Sequence, residues 1–331
     1  MQPRAIDVLP PNYIPALIQN LRGSTIAIGG ATGFVGTALV QFLNELADST
    51  GETFRLITLS RATPLEVKSR AIDHYHFIGD RAAFLDACLR LNVSHYFHFA
   101  TPTTAARGSG DFAATRDSTI SLLEQMITLG KTLGRLRILN ASSGAVYGSK
   151  SLSTPLRLGS PFSTQSLDDS TLENYIQIKR ESESLLTSAA GKEITGTNAR
   201  LFAFMGPGLP LNAHYAIGNF IADAVCSRSI LVRQPLTMRG YLPREQMAAQ
   251  IAISLLVLND PLIHIASASV HTLQFYAEII GRVSRLPVEL RDEGVASYYA
   301  GEAWPFGDWP IKGGLDSYLE RWYLHEKIRS G

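Results

Sequence analysis

The segment from Thr25 to Leu46 constrains this chain more than any other. Thr25-Ile26-Ala27-Ile28-Gly29 is a short apolar run that passes directly into glycines at positions 30, 33 and 36. Phe34, Val35, Ala38, Leu39, Phe42, Leu43 and Leu46 then recur at three- and four-residue spacings. An apolar run of this length reads as a strand covered on both faces, and the period after it reads as one face of a helix. Further buried strands are expected at Phe54–Leu59, His74–Gly79, Ser94–Ala100, Arg135–Ser142 and Ile194–Phe204, with helical periods between most of them. Gln246–Leu258 and Leu262–Ala266 read as one more helix and strand. Strands separated by helices pair in parallel, because a parallel connection needs a crossover, and right-handed crossovers wind the helices onto both faces. The expected fold is α/β, a doubly wound parallel sheet with a smaller C-terminal part.

Residues 24–205 are assigned to the sheet domain, to which 240–267 return. Residues 206–331, richer in Pro, Gly and aromatics, are assigned mainly to a substrate-binding part, and residues 1–23 to an N-terminal extension. The 30 Lys and Arg against 29 Asp and Glu leave a net charge of +1, so no charge excess drives binding to nucleic acid or an anionic membrane. No stretch approaches the roughly 18 apolar residues of a membrane span. Pro3, Pro10, Pro11 and Pro15 interrupt the opening segment, which does not read as a secretory signal. Cys88 and Cys226 are expected to be buried thiols in a reducing, cytoplasmic setting.

A tight turn, close approach of backbone to a pyrophosphate, and close packing of helix on strand each require a residue without a side chain. The partial positive charge at the helix N-terminus then meets the phosphates. Gly30, Gly33 and Gly36 at a strand-to-helix junction therefore mark a dinucleotide site of the Rossmann type. At the end of the second strand, where an NAD site usually offers an acidic residue to the adenosine ribose, stand Ser60 and Arg61. A guanidinium can clamp a 2′-phosphate bidentately, which favours NADP, with NAD as the alternative. Asp80, after the third strand, suits either the adenine amino group or a plain helix cap.

Tyr175 and Lys179 lie four residues apart, one turn along one helix face. A free phenol titrates near 10 and must fall by roughly three units, about 4 kcal/mol, to exchange a proton near neutrality. A neighbouring ammonium supplies such a field. Upstream, Asn140-Ala141-Ser142-Ser143-Gly144-Ala145-Val146-Tyr147-Gly148 ends the fifth strand in hydroxyls at the sheet edge where doubly wound folds bind ligands.

Together the glycine turn, the Ser143 segment and the Tyr175/Lys179 pair resemble the extended short-chain dehydrogenase/reductase family, the NAD(P)-dependent nucleotide-sugar epimerases, dehydratases and reductases, from Gly23 onward. Tyr96–Thr101 resembles the family's fourth strand, Arg200–Pro207 its sixth strand and turn, Met238–Leu242 its arginine-bearing substrate segment, and Gly314–Leu319 its terminal helix. The resemblance implies hydride transfer at a sugar carbon. Tyr175 would be the acid/base, Ser143 would hydrogen-bond the reacting oxygen, and Lys179 would hold the ribose and tune Tyr175. It implies a cofactor shell of Gly30, Thr32, Gly33, Phe34, Val35, Gly36, Ser60, Arg61, Asp80, Arg81, Ala100, Thr101, Tyr175 and Lys179, and substrate contacts at Ser143, Asn219 and Arg239. A nucleotide-sugar is the implied small-molecule partner. A homodimer is implied through the helices near Asp111–Leu133 and Leu172–Ala190.

Dehydrating members carry an Asp-Glu pair after the catalytic hydroxyl, where this chain has Gly144 and Ala145, so an epimerase and a 4-ketoreductase both stay open. Leu209–Phe220 resembles a subgroup associated with surface-polysaccharide sugars. Ala203 stands where the family often has a sugar-contacting asparagine, Thr115 replaces another asparagine, and Gln234-Pro235-Leu236 replaces a Gly-Asp-Gly turn. These departures leave two further readings: an NADPH-dependent reductase of a non-nucleotide carbonyl metabolite, and a dinucleotide-binding protein without catalysis. His74/His76 and His95/His98 have no partner at metal-ligand spacing, so no metal is expected. The polar stretch Lys150–Glu173 is either a loop that closes over substrate or a plain connection.

Overall fold

The structure, a computed structural model, describes residues 5–61, 65–101, 112–148, 154–163, 170–211, 213, 215–293 and 296–330. The apolar run forms β1 (Thr25–Gly29), buried at every position, and the period after it forms α2 (Phe34–Thr50), which α1 (Ile14–Leu21) precedes in the chain. Next come β2 (Phe54–Ser60), β3 (Ile72–Ile78), α3 (Arg81–Arg90), β4 (His95–His98), α4 (Phe112–Leu133), β5 (Leu136–Ser143), α5 (Ser170–Ala189) and β6 (Ile194–Leu201). Beyond these lie β7 (Ala203–Met205), α6 (Ala216–Val225), β8 (Ile230–Val232), β9 (Met238–Arg239), β10 (Tyr241–Pro243) and α7 (Arg244–Ile253). The chain closes with β11 (Leu262–Ile265), β12 (His271–Thr272), α8 (Leu273–Ser284), β13 (Val288–Leu290), β14 (Tyr298–Tyr299) and α9 (Gly314–Ser330).

Among the described residues the main sheet has the order β3-β2-β1-β4-β5-β6-β11, parallel throughout. The order reverses beside β1, where a doubly wound sheet opens its ligand crevice. One face is covered by α1, α2 and α7 through Leu17, Leu39 and Met247, and the other by α3, α4 and α5 through Phe84, Leu123 and Leu186. A separate core around Phe220, Tyr276 and Trp322 joins α6, α8 and α9. Residues 8–21 pack into the first of these cores rather than standing off it.

The structure departs from the sequence expectations at several points. The strand expected from Ile194 to Phe204 is broken at Phe202, whose amide still bonds Ile265 O at 3.1 Å while the chain beyond leaves the sheet to pair with β10. The ring of Phe202 fills the space beside Gly144. β4 stops at His98 because Thr101 N turns back onto Phe99 O at 2.7 Å. The helix read through Leu258 is α-helical only to Ile253 and continues as a π-helical turn over Ser254–Leu258. Cys88 is buried as expected, with burial pushing its thiol up to about 12, but Cys226 is exposed, because it caps α6 at the surface. Of the loop read at 150–173, residues 150–153 and 164–169 lie outside the described residues.

No described helix is long and apolar enough to cross a membrane, and no group of three His, Cys, Asp or Glu among the described residues could hold a metal ion.

Candidate active site

The glycine turn does with backbone what side chains would prevent. Gly30 takes a positive φ of 80°, and a methyl group there would lie 2.7 Å from the Phe99 carbonyl. At Gly36 a methyl group would collide with the backbone of Gly30 and Ala31. Gly33 differs, since a methyl group there would meet only Gly30 O, at an ordinary contact distance of 3.6 Å. Gly33 is also the N-cap of α2 and gives no side-chain cap, so first-turn amides carried by Phe34, Val35 and Gly36 are left for an anion. This uncapped end, with Gly30, Gly33, Phe34, Val35 and Gly36 lining one cavity of about 620 Å³, fits a dinucleotide diphosphate.

The same cavity gathers Ser143, Tyr175 and Lys179. Ser143 ends β5, and its Oγ accepts a hydrogen bond from Ala145 N at 3.2 Å, which leaves the hydroxyl proton to be donated to a ligand oxygen. Tyr175 and Lys179 face the cavity from α5, with Lys179 Nζ 5.8 Å from the centre of the Tyr175 ring. Nζ donates to Thr101 Oγ1 at 2.9 Å and to Ala141 O, so among the described residues one of its three protons remains for a ligand. Burial pushes the Lys179 pKa down to about 7, against the attraction of Glu183.

Arg239, on β9, lines the far side. Its guanidinium donates to Met238 O at 2.8 Å, to Ser297 O at 3.3 Å and to Ser297 Oγ at 3.1 Å, and lies 5.7 Å from the Tyr299 ring centre. Burial lowers its pKa, partly offset by Tyr241 and Tyr299. Among the described residues lining the cavity, Lys179 and Arg239 are the charged ones and no carboxylate accompanies them. An electropositive, carboxylate-free cavity recruits anions.

The remaining sequence candidates are spread around this centre. Thr101 lines the cavity, and Ala100 O accepts from Thr119 Oγ1 at 3.2 Å. Thr32 is half-buried in the glycine turn. Ser60 is buried, with its Oγ 3.3 Å from His76 Nε2, and Arg61 is exposed at the sheet edge. Asp80 caps α3 by accepting from Ala83 N at 2.9 Å, and Arg81 donates to Ser121 Oγ at 3.1 Å. Asn219 sits on α6 behind the lining, which Tyr215 and Ala216 supply there. Its Oδ1 is buried without a hydrogen-bond partner among the described residues.

Phe202, Ser297, Tyr298 and Tyr299 line the cavity without having been sequence candidates, and Gln234, read in the sequence only as replacing a glycine turn, lines it too. The doublet Tyr298-Tyr299 was the visible signal, but a two-residue strand carries no periodicity to place it.

Solved structures share this fold. A UDP-N-acetylglucosamine 4-epimerase from Methanobrevibacter ruminantium, in complex with UDP-N-acetylmuramic acid, superposes with a TM-score of 0.74 at 18% identity, covering 93% of this chain and 99% of that one. An epimerase from Methanothermobacter thermautotrophicus reaches a TM-score of 0.76 at 17% identity over 98% and 99% of the two chains. A dTDP-glucose 4,6-dehydratase from Bacillus anthracis, in complex with NAD, reaches 0.71 at 15% identity over 93% and 98%. No curated protein sequence matches the chain at a significant level. The model of the NAD dependent epimerase/dehydratase family matches residues 26–242, from the first strand through the arginine-bearing segment, and the chain belongs to that family of extended short-chain dehydrogenase/reductase enzymes.

Proposed function

We propose that this enzyme transfers a hydride between a nicotinamide dinucleotide and a carbon of a nucleotide-activated sugar, as an epimerase or a 4-ketoreductase, with Tyr175 as acid/base. The observation that carries this is the convergence of Ser143, Tyr175 and Lys179 on one cavity whose other charged wall is Arg239, with no carboxylate among its described lining residues. A dinucleotide held along Gly30–Gly36 supplies the hydride acceptor or donor. Tyr175, in the field of Lys179, takes the proton of the sugar hydroxyl in the oxidising direction and returns it in the reducing one. Ser143 donates to the same oxygen and fixes its position. Arg239 holds the anionic nucleotide end, leaving the sugar at the hydroxyls.

Elimination of water is disfavoured by packing as well as by residue type. A Cβ at position 144 would lie 2.5 Å from Cε1 of Phe202, so the acid that dehydrating relatives use after the hydroxyl has no room. NADP is preferred over NAD in this reading, because Ser60 and exposed Arg61 stand at the end of β2 without an acidic residue. A homodimer through α4 and α5 belongs to the same proposal.

Native mass spectrometry, followed by NADPH and NADH titration and a panel of UDP- and dTDP-sugars, tests the reading. Retained dinucleotide of NAD mass favours an epimerase, and an empty site that takes up NADPH favours a reductase. Tyr175→Phe is expected to lower kcat roughly 10²- to 10⁴-fold with dinucleotide Kd nearly unchanged. Undiminished turnover in that variant removes Tyr175 from its role.

A further inference from the structure

On the reading that Ser143 and Tyr175 act on one substrate oxygen, their mutual distance must be fixed to within a fraction of an ångström, yet they sit on different elements. Ser143 ends β5, and Tyr175 is on the first half of α5. A hydrogen-bonding partner must lie within roughly 2.6–3.2 Å of the oxygen it serves. A one-residue slip of a helix is about 1.5 Å, enough to lose that contact. Something other than the two catalytic side chains must therefore set the register.

The turn of α5 that follows Lys179 is built for this. Arg180 donates twice to Val146 O, from Nε at 2.9 Å and Nη2 at 2.6 Å, and so grips the short helical turn that Ser143 opens. One turn after Lys179, Glu183 holds Arg200 of β6 in a bidentate pair, with Nε to Oε1 at 2.9 Å and Nη2 to Oε2 at 2.7 Å, both side chains nearly buried. Arg200 Nη1 donates to the hydroxyl of Tyr147, the last residue of the same turn, at 2.8 Å. His264 of β11 completes the chain. Its Nδ1 faces the Glu302 carbonyl at 3.1 Å and its Nε2 lies 2.7 Å from the Tyr147 hydroxyl, which also reaches Arg157 O at 2.9 Å. Phe162 lies under both guanidiniums, 4.7 Å from Arg180 and 5.1 Å from Arg200.

We infer that Arg180 and the Glu183–Arg200–Tyr147 chain are positioning residues that hold the Ser143 turn in register with Tyr175, although none of the four lines the cavity. Arg180 acts on the geometry of the proton-transfer pair and makes no bond to the glycine turn, whereas Glu183 also attracts Lys179.

The test compares Arg180→Met, which keeps the length of the side chain but loses both bonds to Val146, with Arg180→Lys, which restores one donor. A misplacement of about 1 Å costs on the order of 10²-fold in rate, so Arg180→Met is expected to lower kcat by roughly that factor. KM and the Kd for NADPH should stay within about threefold, a difference of under 1 kcal/mol. Arg180→Lys should recover most of kcat. Unchanged kcat in Arg180→Met, or equal losses in kcat and NADPH affinity, overturns the inference. If the wild type turns over no nucleotide-sugar, it is the functional proposal that fails. The register is then read from crystal structures of the wild type and Arg180→Met: a shift of the 143–147 turn against α5 supports the positioning role, and superposition of the two overturns it.

Discussion

The two halves of the cavity are built by different means. The half proposed for the dinucleotide is lined by backbone: a positive-φ glycine, a glycine locked against its own turn, and an uncapped helix end, all within residues 29–36. The half proposed for the substrate is made of side chains carried by strands two or three residues long, β7, β9 and β14, and held by bonds such as Arg239 to Ser297, 58 residues apart in the chain. A site made of contiguous backbone restricts substitution where a Cβ would collide, as at Gly30 and Gly36, and advertises itself. One made of distant side chains can be re-cut residue by residue, which suits the part of an enzyme that chooses its substrate.

That contrast can be broken by mutation. Arg239→Gln should act on the substrate half alone, raising KM for an anionic substrate by about 1.5–3 kcal/mol, roughly ten- to hundredfold, while the NADPH Kd stays put. An equal loss of NADPH binding would show that the halves are not separable. Within the dinucleotide half, Gly36→Ala should cost about 1–3 kcal/mol of stability through overpacking, measured by urea unfolding. Gly33→Ala, with its methyl no closer than 3.6 Å to any atom, should leave stability within about 1 kcal/mol. It should nonetheless weaken dinucleotide binding, and a stability loss at Gly33 equal to that at Gly36 would erase the distinction between them.

Smaller effects sharpen the picture. Arg61→Ala is expected to lower the preference for NADP over NAD by about tenfold in Kd ratio, and no change would assign the guanidinium to solvent. Lys179 gives a pH signature at the junction of the halves. Its folded value of about 7 lies below the ordinary 10.5, so between those pH values the unfolded chain holds a proton that the folded chain has shed. Stability from this group therefore rises with pH through that window, and the cost of burying the ammonium is complete below it. A bound diphosphate favours the charged form, so dinucleotide binding at pH 8 should take up a fraction of a proton, visible by calorimetry in buffers of different ionisation enthalpy. No uptake would separate Lys179 from the ligand.

Much of the fold could be read from the chain. The β1–turn–α2 unit, the buried inner strands and the four-residue step from Tyr175 to Lys179 are local patterns, in which spacing alone decides which face a side chain occupies, whereas the buried strand expected at His74–Gly79 is instead the sheet's edge strand β3, buried only at Ile72. The break at Phe202 was not readable, because the chain beyond it pairs with β10, a segment distant in the chain. Arg180 carries no local signal, because its carbonyl partner Val146 lies 34 residues away. Asp80 was ambiguous in sequence, and its hydrogen bond to Ala83 N displays the cap geometry directly.

Sequence by itself determined the layering, the glycine turn and the identity of the proton-transfer candidates, because each depends on neighbours within one or two turns of chain. Tertiary structure alone decided the second wall of the cavity, from Phe202 to Tyr299 around Arg239, and the clamp from α5 to the Ser143 turn. Those contacts join segments whose separation along the chain leaves no periodic trace, and only the packing of the sheet with the C-terminal part brings them within hydrogen-bond reach.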